Sequence, residues 1–581
     1  MSLTNAIQIG RSALAASQIG IQVAGNNMAN AATPGFSRQV ARYLPIRGDR
    51  SIPGLQIGNG VMVRSVQRQV DMALQGRLWN GGADLSSAAT RSNIFSQIEA
   101  ALGELGDNDL SSELAAFFNG WSERANQTQS SAAVIQQGDR LAGFVRDLRT
   151  RLLDQRQQID DQIGATTEQA NVLLNQISGL NTAISNAEAS GAMANTLRDQ
   201  RDSAVTELSA LMGVTVVDHG QQGIDILVGS TPVLMGTTVR PLELKRTVVN
   251  GSVQVAVATQ PDHQPLTISS GALGALVQSR GTAVDGTLDK LDRLAGRLIF
   301  EVNKLHSTGT NAPPHGGLTT TTGTLAFGAL DRARPLNDPA NQVTSSLPFA
   351  ATHGSFTVRV RSETTGVTET HRIDIDLDGL TSTGAPGTAD DTTPQQIADA
   401  LAAIPGLSAS FTPDGRLQVT ASSGVDFSFA DDTSGAVALL GLNAYFSGST
   451  ASDIAVRADL KADPSRLTTG RIINGDFVEN GTALEIAALQ DRGLPSLNGR
   501  TLQGLWRESV QDVGGQASSA LTSARAAAVV YDSLESQRAG ISGVSIDEES
   551  INLMDFQRQY QAAARVINTA NELTNVLLGL I

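Results

Sequence analysis

The two ends of the chain carry the pattern that most constrains its fold, because apolar or small residues recur there at spacings of three and four. Such spacing places the residues along one stripe of an α-helix and is typical of helices that pack against another helix. The C-terminal stripe comprises Leu553, Phe556, Tyr560, Ala563, Ile567, Ala570, Thr574, Leu577 and Ile581, and a second row comprises Val566, Leu573 and Leu580. A helix that is apolar on more than one side needs more than one packing partner.

The N-terminal stretch has the same spacing and almost no charge. Its stripe comprises Ile7, Gly10, Leu14, Ser17, Ile21, Ala24 and Met28. Arg11 is the only charged residue between Ser2 and Ser37, whereas a surface helix normally keeps a charged face toward water. We therefore predict that the two terminal helices pair as a coiled coil and also pack against other copies or related proteins. The alternative is that both are ordinary core helices of a single globule.

The start of the last helix has a sequence signature of its own. Ser545 and Glu548 have the spacing of a capping box, in which each side chain bonds a free amide of the first turn. Asp547 and Glu549 are acidic residues in that turn, where the helix dipole favours anions. We predict that this helix begins at Ser545.

Length, charge and cysteine content exclude several classes of protein. The chain has 581 residues, enough for three or more domains, a net charge of −15 and no cysteine. The acidic balance disfavours nucleic-acid binding, and the lack of cysteine excludes disulfides and thiol chemistry. The N-terminus lacks the segments of a secretory signal peptide, and no apolar run reaches 18 residues. We therefore expect neither a cleaved signal peptide nor membrane insertion.

Between the ends, helical periodicity dominates. Residues 85–105 and 110–126 read as two helices, and an apolar seam from Val134 to Ile184 predicts one long helix that Gly191 ends. Alternating β-branched residues predict a small strand region near 214–260, before helical spacing returns through Leu288 and Val302. We predict a body built as a bundle of long helices. Residues 43–66, rich in Pro and Gly, are expected to be irregular and extended.

Residues 320–460 differ in composition, being rich in Thr, Asp and Gly. A hairpin is expected near 355–379, with Phe356, Val358 and Val360 facing Ile373, Ile375 and Leu377, followed by a short helix after Thr393 and two further strands. We therefore expect a small α+β or β-rich domain inserted into the helical body and projecting from it. The sequence shows no convergent polar pocket in this region.

Motifs for catalysis and metal binding are sparse. Asp374, Asp376, Asp378 and Gly379 match the opening of a calcium loop, but Ala385 occupies its twelfth position, where Glu is required. Strand alternation explains the same spacing, and we favour it. The six histidines form no His-Glu-x-x-His motif, and His306 is expected to cap its helix. We predict no catalytic residue, no metal site, no cofactor and no enzymatic activity.

The first helix is expected to end in a string that carries a specific resemblance. The pattern is Asn-Asn-x-Ala-Asn followed by Thr-x-Gly-Phe-x-Arg, at Asn26, Asn27, Ala29, Asn30, Thr33, Gly35, Phe36 and Arg38. This string resembles the N-terminal signature of the bacterial flagellar axial proteins, a family of rod, hook and hook-associated subunits. A helix stop plus a turn explains the Asn and Gly content but not the whole string.

Other strings extend the resemblance over most of the chain outside 320–460. Residues 543–571, with Asp547, Gln557, Tyr560 and Arg565, are similar to the C-terminal signature of the family. Residues 197–216, 271–280 and 303–309 resemble the hook-associated members, which form the hook–filament junction, and not the hook or rod proteins.

The resemblance implies a fold, a location and partners. The fold is mainly α with β-rich inserts, in three parts: a terminal coiled-coil domain of 1–45 plus 544–581, a helical body of 46–319 plus 461–543, and an inserted domain of 320–460. The chain would self-assemble in a ring or helical layer outside the cell, after type III export. Its neighbours would be the hook protein and a second junction protein, hook-associated protein 3, with an export chaperone in the cytoplasm.

The assembly interface is predicted on the terminal helices and the N-terminal signature. The residues are Ile7, Leu14, Ile21, Asn26, Asn27, Met28, Asn30, Gly35, Leu553, Phe556, Tyr560, Ala563, Ile567, Leu573, Leu577 and Leu580. A hook or distal rod subunit is one alternative. A secreted adhesin or enzyme on an axial scaffold is another, of a different class.

Overall fold

The computed structural model describes residues 3–47, 58–103, 109–189, 191–249, 252–311, 317–473 and 476–579. The helices in them are α1 Leu3–Ala29, α2 Met72–Leu102, α3 Leu110–Ala125, α4 Ser131–Glu188, α5 Asn195–Leu211, α6 Gly271–Ser279, α7 Gly286–His306, α8 Ala329–Arg332, α9 Pro394–Ala402, α10 Ala436–Leu440, α11 Ala458–Ala462, α12 Gly481–Ala488, α13 Leu502–Ser542 and α14 Ile546–Leu578. Long helices at both ends and in the body confirm the predicted fold class.

The strands are short and gathered into small sheets. They are β1 Gln39–Pro45, β2 Val61–Arg68, β3 Thr215–Asp218, β4 Ile224–Val228, β5 Thr231–Met235, β6 Thr238–Val239, β7 Leu242–Val249, β8 Ser252–Thr259, β9 Gln264–Pro265, β10 Thr320–Ala326, β11 Gly354–Ser362, β12 Thr368–Ile375, β13 Leu407–Phe411, β14 Arg416–Ala421, β15 Val425–Ala430, β16 Phe446–Ser447, β17 Ala455–Val456, β18 Arg471–Ile473 and β19 Asp476–Val478. Among the described residues, no helix is both long and apolar enough to span a membrane.

The chain divides into two compact units. One is formed by Met1–Ile94, Gln158–Arg280 and Ser518–Ile581, and the other by Phe95–Gln157 and Gly281–Ala517. The division into three domains made from the sequence stays a prediction.

The first unit contains the two terminal helices. Here α1 and α14 pack antiparallel, and β1 pairs with β2 as an antiparallel hairpin beside α1. The expectation that residues 43–66 are irregular is wrong at both ends of that range, where β1 and β2 run, because alternating residues such as Val61 and Val63 suit a half-buried strand. The Pro- and Gly-rich stretch from 48 to 57 lies outside the described residues.

Two small sheets of the first unit are anchored on α4 by side-chain amides. Asn181 donates to the carbonyls of Ile224 and Gly236, at 3.0 and 2.6 Å. Asn171 donates to the carbonyl of Leu242 at 3.0 Å and accepts from its N–H at 2.8 Å. The sheets, in orders β3-β4-β5-β6 and β7-β8-β9, confirm the strand region near 214–260.

The second unit has an aromatic core. Phe117 and Trp121 of α3 pack edge-on against other rings, with Trp121 and Tyr445 centroids 5.3 Å apart. His306 lies in this core with no exposed surface, and its ring nitrogens bond the Asn443 carbonyl at 2.8 Å and the Thr468 N–H at 3.3 Å. Burial lowers the pKa of His306 to about 4. It is therefore neutral at pH 7, and its expected role as a charged helix cap is wrong.

Residues between 317 and 442 build a separate hydrophobic cluster in the second unit, to which α7 contributes Phe300. Two three-stranded sheets, β12-β11-β15 and β10-β14-β13, enclose it together with α9, whose Thr393–Gln396 capping box is formed. Phe356, Val358 and Ile375 are buried as predicted. The pairing differs from the expectation, because Ile375 faces Gly354 and Leu377 follows the end of β12.

Candidate assembly interface

The contact between α1 and α14 is built from small residues that receive large ones. A Cβ atom on Gly10 would lie 2.6 Å from Ile567, and one on Gly20 would lie 2.6 Å from the ring of Phe556. Only glycine at these positions allows the side chains of α14 to reach the backbone of α1. The α1 residues that are buried are Gly10, Ala16, Ser17, Gly20, Ala24 and Asn27.

The larger apolar residues of α1 lie beside this contact. Ile7, Leu14, Ile21 and Met28 are half-buried, so they flank the row formed by Gly10, Ser17 and Ala24. The predicted N-terminal stripe therefore contains both rows, and its small members make the closest contact.

The predicted α14 residues divide into two groups. Leu553, Phe556, Ala563 and Ile567 are buried or half-buried on the side that faces α1. Tyr560, Leu573 and Leu577 are 38%, 51% and 51% exposed. Leu580 lies outside the described residues. Val566, the other described member of the predicted second row, is 47% exposed. The described part of this row therefore lies open on the surface of the first unit.

The pairing leaves the end of α14 without a facing residue in the described part of α1. Gly10 faces Ile567 in an antiparallel register, so Leu3, where α1 begins, lies opposite Thr574. Beyond it, Val576 and Leu578 are 60% and 67% exposed. No charged residue follows Glu572 in the sequence. This segment combines exposure with an apolar surface.

An apolar groove runs along the same helix pair. It has a volume of about 410 Å³ and contains no charged side chain in its lining. The lining residues are Ala13, Ala16, Ser17, Tyr43, Val61, Gln559, Ala562, Ala563 and Val566. Its floor of alanine and serine resembles the surface that α1 presents to Ile567 and Phe556. A further helix could pack there by the same small-to-large fit.

The N-terminal signature string is held by hydrogen bonds. Asn27 is buried, and its amide donates to the Gln39 carbonyl at 2.9 Å and accepts from the Gln39 N–H at 3.0 Å. Asn30 bonds back to Asn26, which is exposed. Gly35 has a φ of +77°, which other residues rarely adopt. These residues therefore end α1 and form the turn that leads to β1.

Arg38 joins this string to the start of α14. Its backbone N–H donates to the Ser542 carbonyl at 2.9 Å, and its Nε donates to Oε1 of Glu549 at 2.7 Å. The Glu549 side chain is only 3% exposed. Ser545 caps α14 by accepting from the Glu548 N–H, which confirms one half of the predicted capping box; the Glu548 carboxylate lies 3.4 Å from Arg38 and does not make the reciprocal bond. The sequence analysis did not predict this contact within the chain, although Arg38 and Glu549 both belong to the signature strings.

A buried ion-pair cluster links the string to α5. Arg68 donates to Asp199 and Asp202 at 2.8 Å each, and the Ser37 N–H donates to Asp199 at 3.4 Å. Burial raises the pKa of Asp199, and the hydrogen bond and charge of Arg68 offset only part of this rise. The two aspartates belong to the internal string 197–216. That string therefore supports the chain segment that leads into the terminal domain.

The aspartates of the calcium-like motif lie on the surface. Oxygen atoms of Asp376 and Asp378 and a ring nitrogen of His353 lie within 4.8 Å of one another, and all three side chains are exposed. His353 and Asp376 are 3.1 Å apart. Exposed acidic groups of this kind are common on protein surfaces, and the geometry assigns no metal.

Comparison with known proteins matches three family models to separate parts of the chain. Residues 7–36 match the flagella basal body rod protein, and residues 536–580 match the C-terminal region of flagellar basal body rod FlgEFG proteins. Residues 95–319 match the helical domain of the flagellar hook-associated protein FlgK.

Curated relatives align over the whole chain. The relative from Salmonella typhimurium is 28% identical over 600 residues, covering 100% of both chains. The relative from Escherichia coli K12 is 25% identical over 604 residues with the same coverage, and that from Bacillus subtilis is 24% identical over 586 residues, covering 99% of this chain and 97% of its own. The solved flagellar hook junction protein FlgK from Burkholderia pseudomallei covers 80% of this chain and 100% of its own, with a TM-score of 0.51 and 16% identity.

The paired terminal helices, the signature string that Arg38 ties to α14, and the rod-protein matches at both ends make the chain similar to the flagellar axial proteins. Among these proteins, the chain is similar along its full length to flagellar hook-associated protein 1, the name borne by each of the three curated relatives.

Proposed function

We propose that this chain is a structural subunit of the bacterial flagellum that forms the hook–filament junction. The observation that carries this function is full-length similarity to flagellar hook-associated protein 1, including the FlgK helical domain over residues 95–319. That domain distinguishes it from a hook or distal rod subunit, for which only the terminal matches would be expected.

The subunit polymerises through its terminal helices. The open row of α14, the exposed apolar residues Val576 and Leu578 at its end, and the neighbouring groove support this mechanism, because exposed apolar surface of this kind marks protein–protein contacts. We propose as interface residues those predicted from the sequence, together with Arg38 and Glu549, which position α14. The paired helices would form an inner layer, the helical body a surrounding tube, and residues 320–460 an outward projection.

The proposed neighbours follow from the junction role. They are the hook protein on one side and hook-associated protein 3 on the other, with a cytoplasmic chaperone before export. Export without a cleaved signal peptide through the flagellar type III apparatus would leave the N-terminal helix intact. We propose no enzymatic activity.

A complementation experiment tests the assembly role. In a strain that lacks the protein, Leu573→Asp combined with Leu577→Asp is expected to abolish filaments attached to hooks, because charge would have to be buried in the apolar contact. Leu330→Asp, at a leucine that is 72% exposed in the second unit, serves as the matched control and should complement fully. Normal filaments with the double variant would reject polymerisation through this row.

The same deletion strain distinguishes a junction subunit from the alternative class of protein. A secreted adhesin or enzyme on an axial scaffold would leave the filament attached when the whole gene is deleted. Loss of attached filaments in the deletion strain is the outcome that we expect.

A further inference from the structure

A polar cleft in the second unit is unrelated to the terminal helices. It has a volume of about 420 Å³, within the range of small-molecule sites. Its lining residues are Thr320, Thr321, Thr322, Gly323, Thr324, Arg416, Gln418, Ser447, Arg457, Ala458, Asp459 and Arg466. The expectation that the region 320–460 has no convergent polar pocket is therefore wrong. The strands that build the pocket are about a hundred residues apart in the chain, which hid it from sequence patterns.

One wall of the cleft is the polar face of two paired strands. Thr320 and Thr322 alternate along β10, and Gln418 of β14 lies directly opposite Thr322. The intervening residues of β14, Leu417 and Val419, are buried in the hydrophobic cluster. This alternation gives the sheet one apolar face and one face of hydroxyl and amide groups.

The hydrogen bonds between the polar groups of this wall are long. The hydroxyl oxygens of Thr320 and Thr420 are 3.3 Å apart, and Gln418 donates to the Thr322 hydroxyl at 3.4 Å. Both distances are long for hydrogen bonds. A ligand with its own hydroxyl groups could therefore replace these bonds with shorter ones.

The opposite wall is organised by a fixed arginine. Arg457 donates to Asp459 through two bonds of 2.9 Å, and its Nη1 donates to the carbonyls of Thr322 and Gly441 at 2.9 and 2.8 Å. All three nitrogens of its guanidinium are thus engaged. Arg457 shapes the cleft and neutralises Asp459, so it is not itself a free donor.

Two further arginines have weaker partners. Arg466 lies 3.4 Å from the Thr320 carbonyl and 3.9 Å from Asp459, with 38% of its side chain exposed. Arg416 pairs with Asp414 at 3.0 Å, but both side chains are about half exposed or more. Exposed pairs of this kind contribute little to stability. These guanidinium groups are available to turn toward an anion in the cleft.

The charge of the cleft contrasts with that of the chain. Three arginines and one aspartate line it, whereas the whole chain has a net charge of −15. Because Arg457 and Asp459 neutralise each other, Arg466 and Arg416 leave the lining with an excess of positive charge, which attracts anions into a concave site. Arginine is well suited to carboxylate, sulfate and phosphate because its planar group can donate two parallel hydrogen bonds.

We propose that this cleft binds a small hydroxylated anion, namely a sugar that carries a carboxylate, sulfate or phosphate group. Arg466 and Arg416 bind the anionic group, and the hydroxyl and amide groups of Thr320, Thr322 and Gln418 bind the sugar hydroxyls. This activity is separate from the junction role, because the cleft contains none of the proposed assembly residues.

The test is a calorimetric titration of the full-length protein with three charged sugars: glucuronic acid, glucose 6-sulfate and glucose 6-phosphate. Glucose and inorganic sulfate are the reference probes. At least one charged sugar should bind saturably at about millimolar concentration, with at least tenfold weaker binding of glucose and of sulfate. Affinity should fall as salt is added. The charged sugar that binds best identifies the anionic group.

Two variants locate the binding. Arg466→Gln and, in a separate variant, Arg416→Gln should each lower the affinity for the charged sugar at least fivefold. The control Arg492→Gln removes an arginine with similar exposure that pairs with Glu485 outside the cleft lining, and it should leave affinity unchanged. Thermal unfolding of each variant verifies that it is folded.

Several results would overturn the proposal. They are no saturable binding by any charged sugar, equal binding of glucose, equal binding of inorganic sulfate, or affinities that Arg466→Gln and Arg416→Gln leave unchanged.

Discussion

The ion pair between Arg38 and Glu549 shows how the two signature strings depend on each other. Arg38 follows the turn after α1, and Glu549 lies in the first turn of α14, 511 residues further on. Because the Glu549 carboxylate is nearly fully buried, it needs a partner to offset its lost hydration. Arg38 supplies that partner and also bonds the end of α13.

Removing this partner should therefore destabilise the first unit. Arg38→Gln is expected to lower the free energy of unfolding by about 2 kcal/mol, since breaking a buried pair strands a charge. Arg558→Gln removes an arginine that is 79% exposed and 3.9 Å from Asp555, and should change stability by less than about 0.5 kcal/mol. Urea unfolding of both variants makes the comparison. Equal effects would mean that the Arg38 contact is not needed.

Two glycines of α1 offer a matched test of the helix contact. Gly20→Ala places a Cβ 2.6 Å from the Phe556 ring and should destabilise the α1–α14 pair by about 1–3 kcal/mol, as overpacking does. Gly25→Ala meets nothing within 4 Å and should stabilise α1 by up to about 1 kcal/mol through helix propensity. Circular dichroism during heating distinguishes them. A gain in stability from both would contradict the contact.

His306 makes the second unit sensitive to acid. Its pKa of about 4 in the folded protein lies below the ordinary value of 6.5, so the fold favours the neutral ring. This contribution is fully present above pH 6.5 and is lost as the pH falls from 6.5 toward 4, by up to about 3 kcal/mol. Urea unfolding at pH 7, 5.5 and 4 should show the loss, and His306→Gln should reduce its pH dependence.

At the scale of elements, long helices were predictable and their contacts were less so. The α4 helix and both terminal helices follow from long runs of helical spacing, which no short motif can mimic. The spacing did not reveal which of two adjacent rows on α1 meets α14. That choice depends on Phe556 and Ile567, whose size requires glycine opposite them.

Polar contacts were the least predictable part of the interface and the cleft. The sequence gives no sign of the partners of Arg38 and Arg68, because those partners are far away along the chain. The hairpin β1–β2 was missed where Pro and Gly residues between the strands obscured the period-two pattern. Composition and periodicity describe one segment at a time, whereas these features exist only once the segments meet.

At the scale of the whole molecule, assembly and folding should be separable. Deleting residues 546–581 removes α14 and should abolish incorporation into the flagellum. The second unit has its own aromatic core around Trp121 and Tyr445, so its tryptophan emission and near-ultraviolet dichroism should persist. Loss of those signals would show that the second unit depends on α14 for its fold.

The central claim is that the terminal helices bury their open apolar rows only when subunits assemble. Hydrogen exchange of residues 5–28 and 550–578 measures this most directly, in a dilute monomer and in isolated hook–filament junctions. A single helix pair that leaves Leu573 and Leu577 half exposed should have a lower local stability than the cores of the two units, so we predict faster exchange there than in those cores in the monomer and strong protection after assembly. Strong protection already present in the dilute monomer, and unchanged in the junction, would contradict the claim.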